Sequence, residues 1–262
     1  MLEEMLRYAP AFLLVAVRAL AIIETAPLLS SGSLPQVVKI SLAGFTAYAS
    51  FNTALVSAWN FEPFGLTFIF LIIGEAIIGV IIGFYMTIVF SVFASAGQFF
   101  SLQMGFGASE TFDPLAQIEN PLMGQFLNMA AMLVFLTING FNTLFLGGFL
   151  RSIQSLHVMD FFDGRNDVLT MMLSGLSSMF LDAFIISLPI LGTLFLTSLA
   201  TGLISKAAPQ INILTEGFPI SITVAFVIIL ASMPFMVEAF NRVIGVGFRA
   251  FEILYTRIGT AI

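Results

Sequence analysis

The 262-residue chain has no cysteine and a single histidine, His157. The first absence excludes disulfides and thiolate chemistry. The second leaves no histidine-based metal cluster to build. No Gly-rich turn ends in Gly-Lys-Ser/Thr, so the chain has no P-loop. Charge is scarce too: 9% of residues are charged, against about 25% in soluble domains. The net charge of −6 comes from scattered acids with no run of either sign, which argues against a nucleic-acid binder.

What is present is hydrocarbon. Hydrophobic residues make up 59% of the chain and the mean hydropathy is +1.05. That much apolar surface needs lipid, partner subunits, or both, so the composition reads as an integral membrane protein or a subunit of a membrane complex. The N-terminus leads with Glu3 and Glu4, and Arg18 interrupts its apolar run. It therefore does not read as a cleaved signal, and the first hydrophobic segment is expected to stay.

Apolar segments lie at 8–29, 37–58, 65–102, 126–150, 168–205 and 217–241, separated by turn-rich stretches. Such runs, with no alternating polar pattern, predict helices rather than barrel strands. A helix over 65–102 would extend about 57 Å, against a hydrocarbon core of about 30 Å. The 168–205 segment has the same excess. Each must break in two, with Pro189 available to kink the second, or project beyond the bilayer. Counting six spans, the positive-inside rule puts Arg7, Arg151, Arg165, Arg242, Arg249 and Arg257 on one side, opposite Lys39 and Lys206. Both termini then lie in the cytoplasm.

Two rows of small residues mark faces that expect neighbours. One is Gly79, Gly83, Thr87, Ser91 and Ser95, starting one step after Glu75; the other is Thr193, Thr197, Thr201 and Ser205. A row at spacing four winds slowly around a helix, which suits a coiled helical assembly. Arg18, Glu24, Glu75 and Asp182 lie inside apolar runs. Each costs roughly 3 kcal/mol or more at mid-membrane, so each is expected to face protein or water, and pairing between helices is the simplest outcome. In the C-terminal region Glu238 and Arg242 form an i,i+4 pair, and Arg242 and Arg249 are seven apart on nearly one face.

The stretch "GFGASETFDPLAQIENP", 105–121, differs from everything around it, with Glu110, Asp113 and Glu119, two prolines, two glycines and no basic residue. Its "GFGASE" is similar to the Gly-Ala-Ser of rhomboid-type proteases. Those need a histidine within a neighbouring span, however, and Glu110 stands where that motif has glycine, so catalysis is not expected. A small ion-coupled secondary transporter is the rival reading, although no matching pair of interrupted segments is found.

The stretch "GLISKAAPQINILTEGFPISI", 202–222, resembles the late signature of the FliR family of flagellar export-gate proteins and its virulence-secretion counterparts. "VRALAIIETAPLL" with "LPQVVKISLA" (17–43), "GEAIIGVIIGF" (74–84) and "FDP" (112–114) agree in order, so the resemblance covers essentially the whole chain. Ser221 departs from it where many members carry a basic residue.

The resemblance implies an all-α fold: a FliP-like helical part over 1–167, including the loop 105–121, then a FliQ-like long helical hairpin with a C-terminal tail over 168–262. It implies a non-enzymatic subunit without cofactor or metal, in the bacterial inner membrane at the flagellar basal body. Its partners would be FliP-like and FliQ-like subunits, a FlhB-like subunit at the cytoplasmic entrance, unfolded export substrates and membrane lipids. The loop would plug the pore through Gly105, Phe106, Gly107, Ser109, Glu110, Phe112, Asp113, Pro114 and Leu115. Glu75, Gly79, Gly83, Pro209, Gln210 and Asn212 would serve helix packing and assembly. A virulence secretion gate is the alternative within the same resemblance. Much of such a complex stands above the bilayer plane, which would relieve the overlong helices and weigh against six spans.

Overall fold

The computed structural model describes residues 2–27, 29–30, 32, 34–51, 65–105, 122–208 and 213–259, with side chains left out for 2–7 and 213–215. Among them every regular element is helical and none is a strand. In order they are α1 (Leu2–Thr25), α2 (Gln36–Ser50), α3 (Leu66–Met104), α4 (Leu122–Thr137) and α5 (Gly140–Thr143). A π-helical stretch, Leu144–Leu150, leads into α6 (Arg151–Ser155), α7 (Val158–Asp163), α8 (Arg165–Ala207) and α9 (Ile213–Ile258).

The two overlong segments do not break. α3 is one helix of 39 residues and α8 one of 43, continuous through Pro189. At 1.5 Å per residue they extend about 58 and 65 Å, roughly twice the hydrocarbon thickness. α9 is longer still, at 46 residues, and runs through Pro219 and Pro234 to Ile258, well past the expected end at 241.

The described residues do not by themselves supply six spans. Among the described residues four helices are long and apolar enough to cross a membrane, or five if one bent pair counts as a single span. That pair, Leu122–Thr137 with Gly140–Ser155, occupies the expected 126–150 segment. It breaks where Asn139 takes a left-handed conformation (φ 55°), which asparagine tolerates better than most residues. α2 has only 15 residues, too few to span.

The chain divides into two compact units. The first comprises Met1–Val89, Asn139–Gly175 and Gly245–Ile262. In it α1 buries a stripe of Ala11, Leu14, Val15, Arg18, Ala19, Ile22 and Ile23, continued by Ala26 just beyond it, the three–four spacing of a helix face. α2 folds back along α1. Phe51, just beyond α2, meets the rings of Tyr8 and Phe12, and Lys39 meets Glu24 nearer the other end of α1, so the two helices run antiparallel. Tyr85 and Phe251 pack edge to face at 5.2 Å, and the Tyr255 hydroxyl donates to the Gly148 carbonyl of the π-helical stretch at 2.8 Å.

The second unit comprises Phe90–Ile138 and Leu176–Ile244. Its core is aromatic: Phe93 meets Phe240 at 4.6 Å and Phe90 meets Phe135 at 5.4 Å, both edge to face. α3 and α4 cross at Gly97, which lies against the Gly124 and Met123 backbone. Lipid tails are as apolar as leucine, so close packing of this kind, rather than hydrophobic burial, holds membrane helices together.

Candidate functional site

An ion pair is buried within the first unit. Arg18, halfway along the apolar stripe of α1, is 0% exposed. Its Nε donates to the Glu75 Oε2 of α3 at 2.5 Å, Nη1 to the Ser152 hydroxyl of α6 at 3.1 Å, and Nη2 to the Leu156 carbonyl at 3.0 Å. One guanidinium thus joins α1, α3 and the α6 turn. A buried cation survives only when paired and hydrogen-bonded, and here both conditions hold.

The small residues following Glu75 make the approach of α1 and α3 possible. A Cβ at Gly79 would lie 2.6 Å from the Arg18 carbonyl oxygen, and one at Gly83 would overlap the Thr25 hydroxyl. The Thr87 hydroxyl sits 2.8 Å from the Thr25 carbonyl. Contacts climb both helices together, 75 to 18, 79 to 18 and 21, 83 to 25 and 26, so α1 and α3 run parallel. The first small-residue row therefore seats a helix of its own chain as far as Thr87.

The second row is placed differently. Thr193, Thr197 and Thr201 turn their hydroxyls back onto the carbonyls of Pro189, Thr193 and Thr197. Among the described residues, nothing beyond the local helix backbone lies within 4 Å of a Cβ built on Gly192 or Gly202. Phe195, Leu196, Leu199, Leu203 and Ile204 beside them are exposed. Coverage by the rest of the chain falls from α1 through α3 and α8 to α9.

Of the other embedded charges, Glu24 pairs with Lys39 at 3.0 Å, and Lys39 also donates to the Ser30 carbonyl at 3.2 Å. Asp182 is half-buried and has Arg242 as its electrostatic neighbour. Glu238 and Arg242 do not form the ion pair that their spacing predicts; both are exposed, as is Arg249. Sequence reasoning singled out Arg18 and Glu75 but missed Ser152 and the Leu156 carbonyl. A backbone acceptor carries no side-chain signature, and a serine beside an arginine in a connecting stretch looks like turn chemistry.

Of the residues expected to form the plug, Gly105 is described. Phe106, Gly107, Ser109, Glu110, Phe112, Asp113, Pro114 and Leu115 lie outside the described residues, as do Pro209, Gln210 and Asn212. Gly105 ends α3 with its N–H on the Leu102 carbonyl at 3.1 Å and a φ of +94°, where only glycine is unstrained.

Residues 9–246 match the family described as bacterial export proteins, family 1. The chain is 30% identical over 254 residues to the flagellar biosynthetic protein FliR of Bacillus subtilis (strain 168), spanning 96% of this chain and 97% of that one. It is 31% identical over 243 residues to the protein of the same name from Escherichia coli (strain K12), covering 88% and 87%. With that of Borreliella burgdorferi it shares 32% identity over 180 residues, covering 68% and 67%.

Proposed function

The chain belongs to the FliR family of bacterial export proteins, family 1, and on that premise we propose that it is a membrane subunit of the flagellar protein-export gate. The observation that carries this reading is the match over residues 9–246 together with relatives named for flagellar biosynthesis at about 30% identity across nearly their whole length. In this reading the subunit sits in the bacterial inner membrane at the flagellar basal body and has no catalytic chemistry of its own. Residues 1–167 act as a FliP-like part and 168–262 as a FliQ-like hairpin made of α8 and α9. FliP-like and FliQ-like subunits complete a pore for unfolded flagellar substrates. The uncovered apolar side chains of α8 and α9 and the open glycines Gly192 and Gly202 support it, because they fit packing against further helices. Co-expression with FliP-like and FliQ-like proteins is expected to yield a stable hetero-oligomer. A homodimer that takes up solute by itself would overturn the gate in favour of a transporter.

Residues 105–121 act as the plug in this reading. Deleting Gly107–Ile118 is expected to leave assembly intact and raise ion leakage through the resting complex, measured as membrane conductance. Parent-level conductance in a fully assembled deletion variant would remove the plug role. The exposed Arg242 and Arg249 on α9 are the contacts proposed for a FlhB-like subunit. Replacing both by alanine should reduce its co-purification, and undiminished recovery would assign them elsewhere.

A further inference from the structure

The glycine that ends α3 has an unexpected neighbour. A Cβ added at Gly105 would overlap the ring of Phe218, its Cδ1 and Cε1 edge being the nearest atoms. The ring therefore presses against bare backbone at the residue whose φ of +94° turns the chain out of the helix. Two features of Gly105 are used at once: its positive φ, which other residues adopt only with strain, and its lack of a side chain, which lets the ring approach.

Phe218 is itself placed unusually. It lies in the second turn of α9, immediately before Pro219. A proline within a helix offers no N–H to the carbonyl four residues back, so the turn carrying Phe218 is joined to the rest of α9 by one hydrogen bond fewer. Phe218 is 41% exposed. It is thus no core residue whose loss would collapse the unit, but a side chain braced against one point of another helix.

We infer that Phe218 is a positioning residue: its ring is the post that fixes where and in which direction the chain leaves α3 at Gly105. The second turn of α9 thereby sets the departure point of the segment that follows. This deepens the plug reading and rests on it for its consequence in export, but the contact itself is tested independently.

The absence of native cysteine makes that test direct. In the assembled complex, a reporter Ser109→Cys is reacted with a membrane-impermeant maleimide. Phe218→Ala is expected to change the labelling rate at least threefold, and Phe218→Tyr, which keeps the ring, to leave it at the parent value. Gly105→Ala, which displaces the ring and also strains the backbone, should shift the rate at least as far as Phe218→Ala does. Co-purification of the partner subunits checks that each variant has assembled, and Phe218→Leu replaces Phe218→Ala if the latter does not assemble. Equal labelling of the parent and the ring-deleted variant overturns the inference. Failure of the plug reading has a different signature: unchanged conductance in the deletion of Gly107–Ile118, whatever the labelling shows.

Discussion

Arg18→Ala is expected to cost the fold about 3–5 kcal/mol, the usual penalty for removing one partner of a buried ion pair. That is a hundredfold to several-thousandfold change in the folded-to-unfolded ratio. The loss arises because Glu75, 2% exposed, would be left as an uncompensated buried carboxylate, and the Leu156 carbonyl and Ser152 hydroxyl would lose their donor. Denaturant unfolding in mild detergent, with the yield of folded chain, measures the effect. Two double variants sharpen it. Arg18→Met with Glu75→Leu should recover most of the loss, since a well-packed apolar pair needs no partner. The charge swap Arg18→Glu with Glu75→Arg should not recover it, because a carboxylate at position 18 would face the Leu156 carbonyl, acceptor against acceptor. Parent-like stability of Arg18→Ala would show that the pair contributes nothing.

The second large effect is steric. At Gly97 the atoms that would meet a Cβ are the Gly124 Cα and N and the Met123 carbonyl oxygen, each at 2.5 Å. All three are backbone, so no rotamer change relieves the clash and α3 and α4 must separate. Gly97→Ala should cost about 1–3 kcal/mol, the range for overpacking a well-fitted contact. Gly192 and Gly202 predict the reverse for the chain alone. With no other described part of the chain near them, alanine should gain about 1 kcal/mol of helix propensity. The same substitutions enlarged to leucine should lower recovery of the hetero-oligomer if α8 meets another helix closely. A bulky residue at both positions with full assembly would mean that this face is lined by lipid.

The long helices, the need of Arg18 and Glu75 for partners, and the close approach along Gly79 and Gly83 were all legible in the sequence. Each is a local property: apolar content, a charge inside an apolar run, or small residues at helical spacing. What was not legible is where one helix ends and the next begins. Hydropathy measures composition and not hydrogen-bond continuity, so 126–150 read as one segment although Asn139 breaks it. For the same reason the last segment seemed to stop near Arg242, although arginine is a good helix former and α9 continues for another sixteen residues to Ile258. The partners of Arg18 lay further out of reach, since identifying Ser152 and Leu156 requires the tertiary arrangement.

The buried guanidinium also has a history in time. Its partners lie 57, 134 and 138 residues further along the chain. At a synthesis rate of about 5–20 residues per second, Glu75 follows Arg18 out of the ribosome after roughly 3–11 s, and Leu156 after roughly 7–28 s. During that interval α1 carries a charge worth about 3 kcal/mol against insertion, and its Glu75 partner has not been made. Stable retention of the first helix in a bilayer is therefore expected only once α3 has been made. Nascent chains truncated before Glu75 should remain extractable, while those extended beyond it should not.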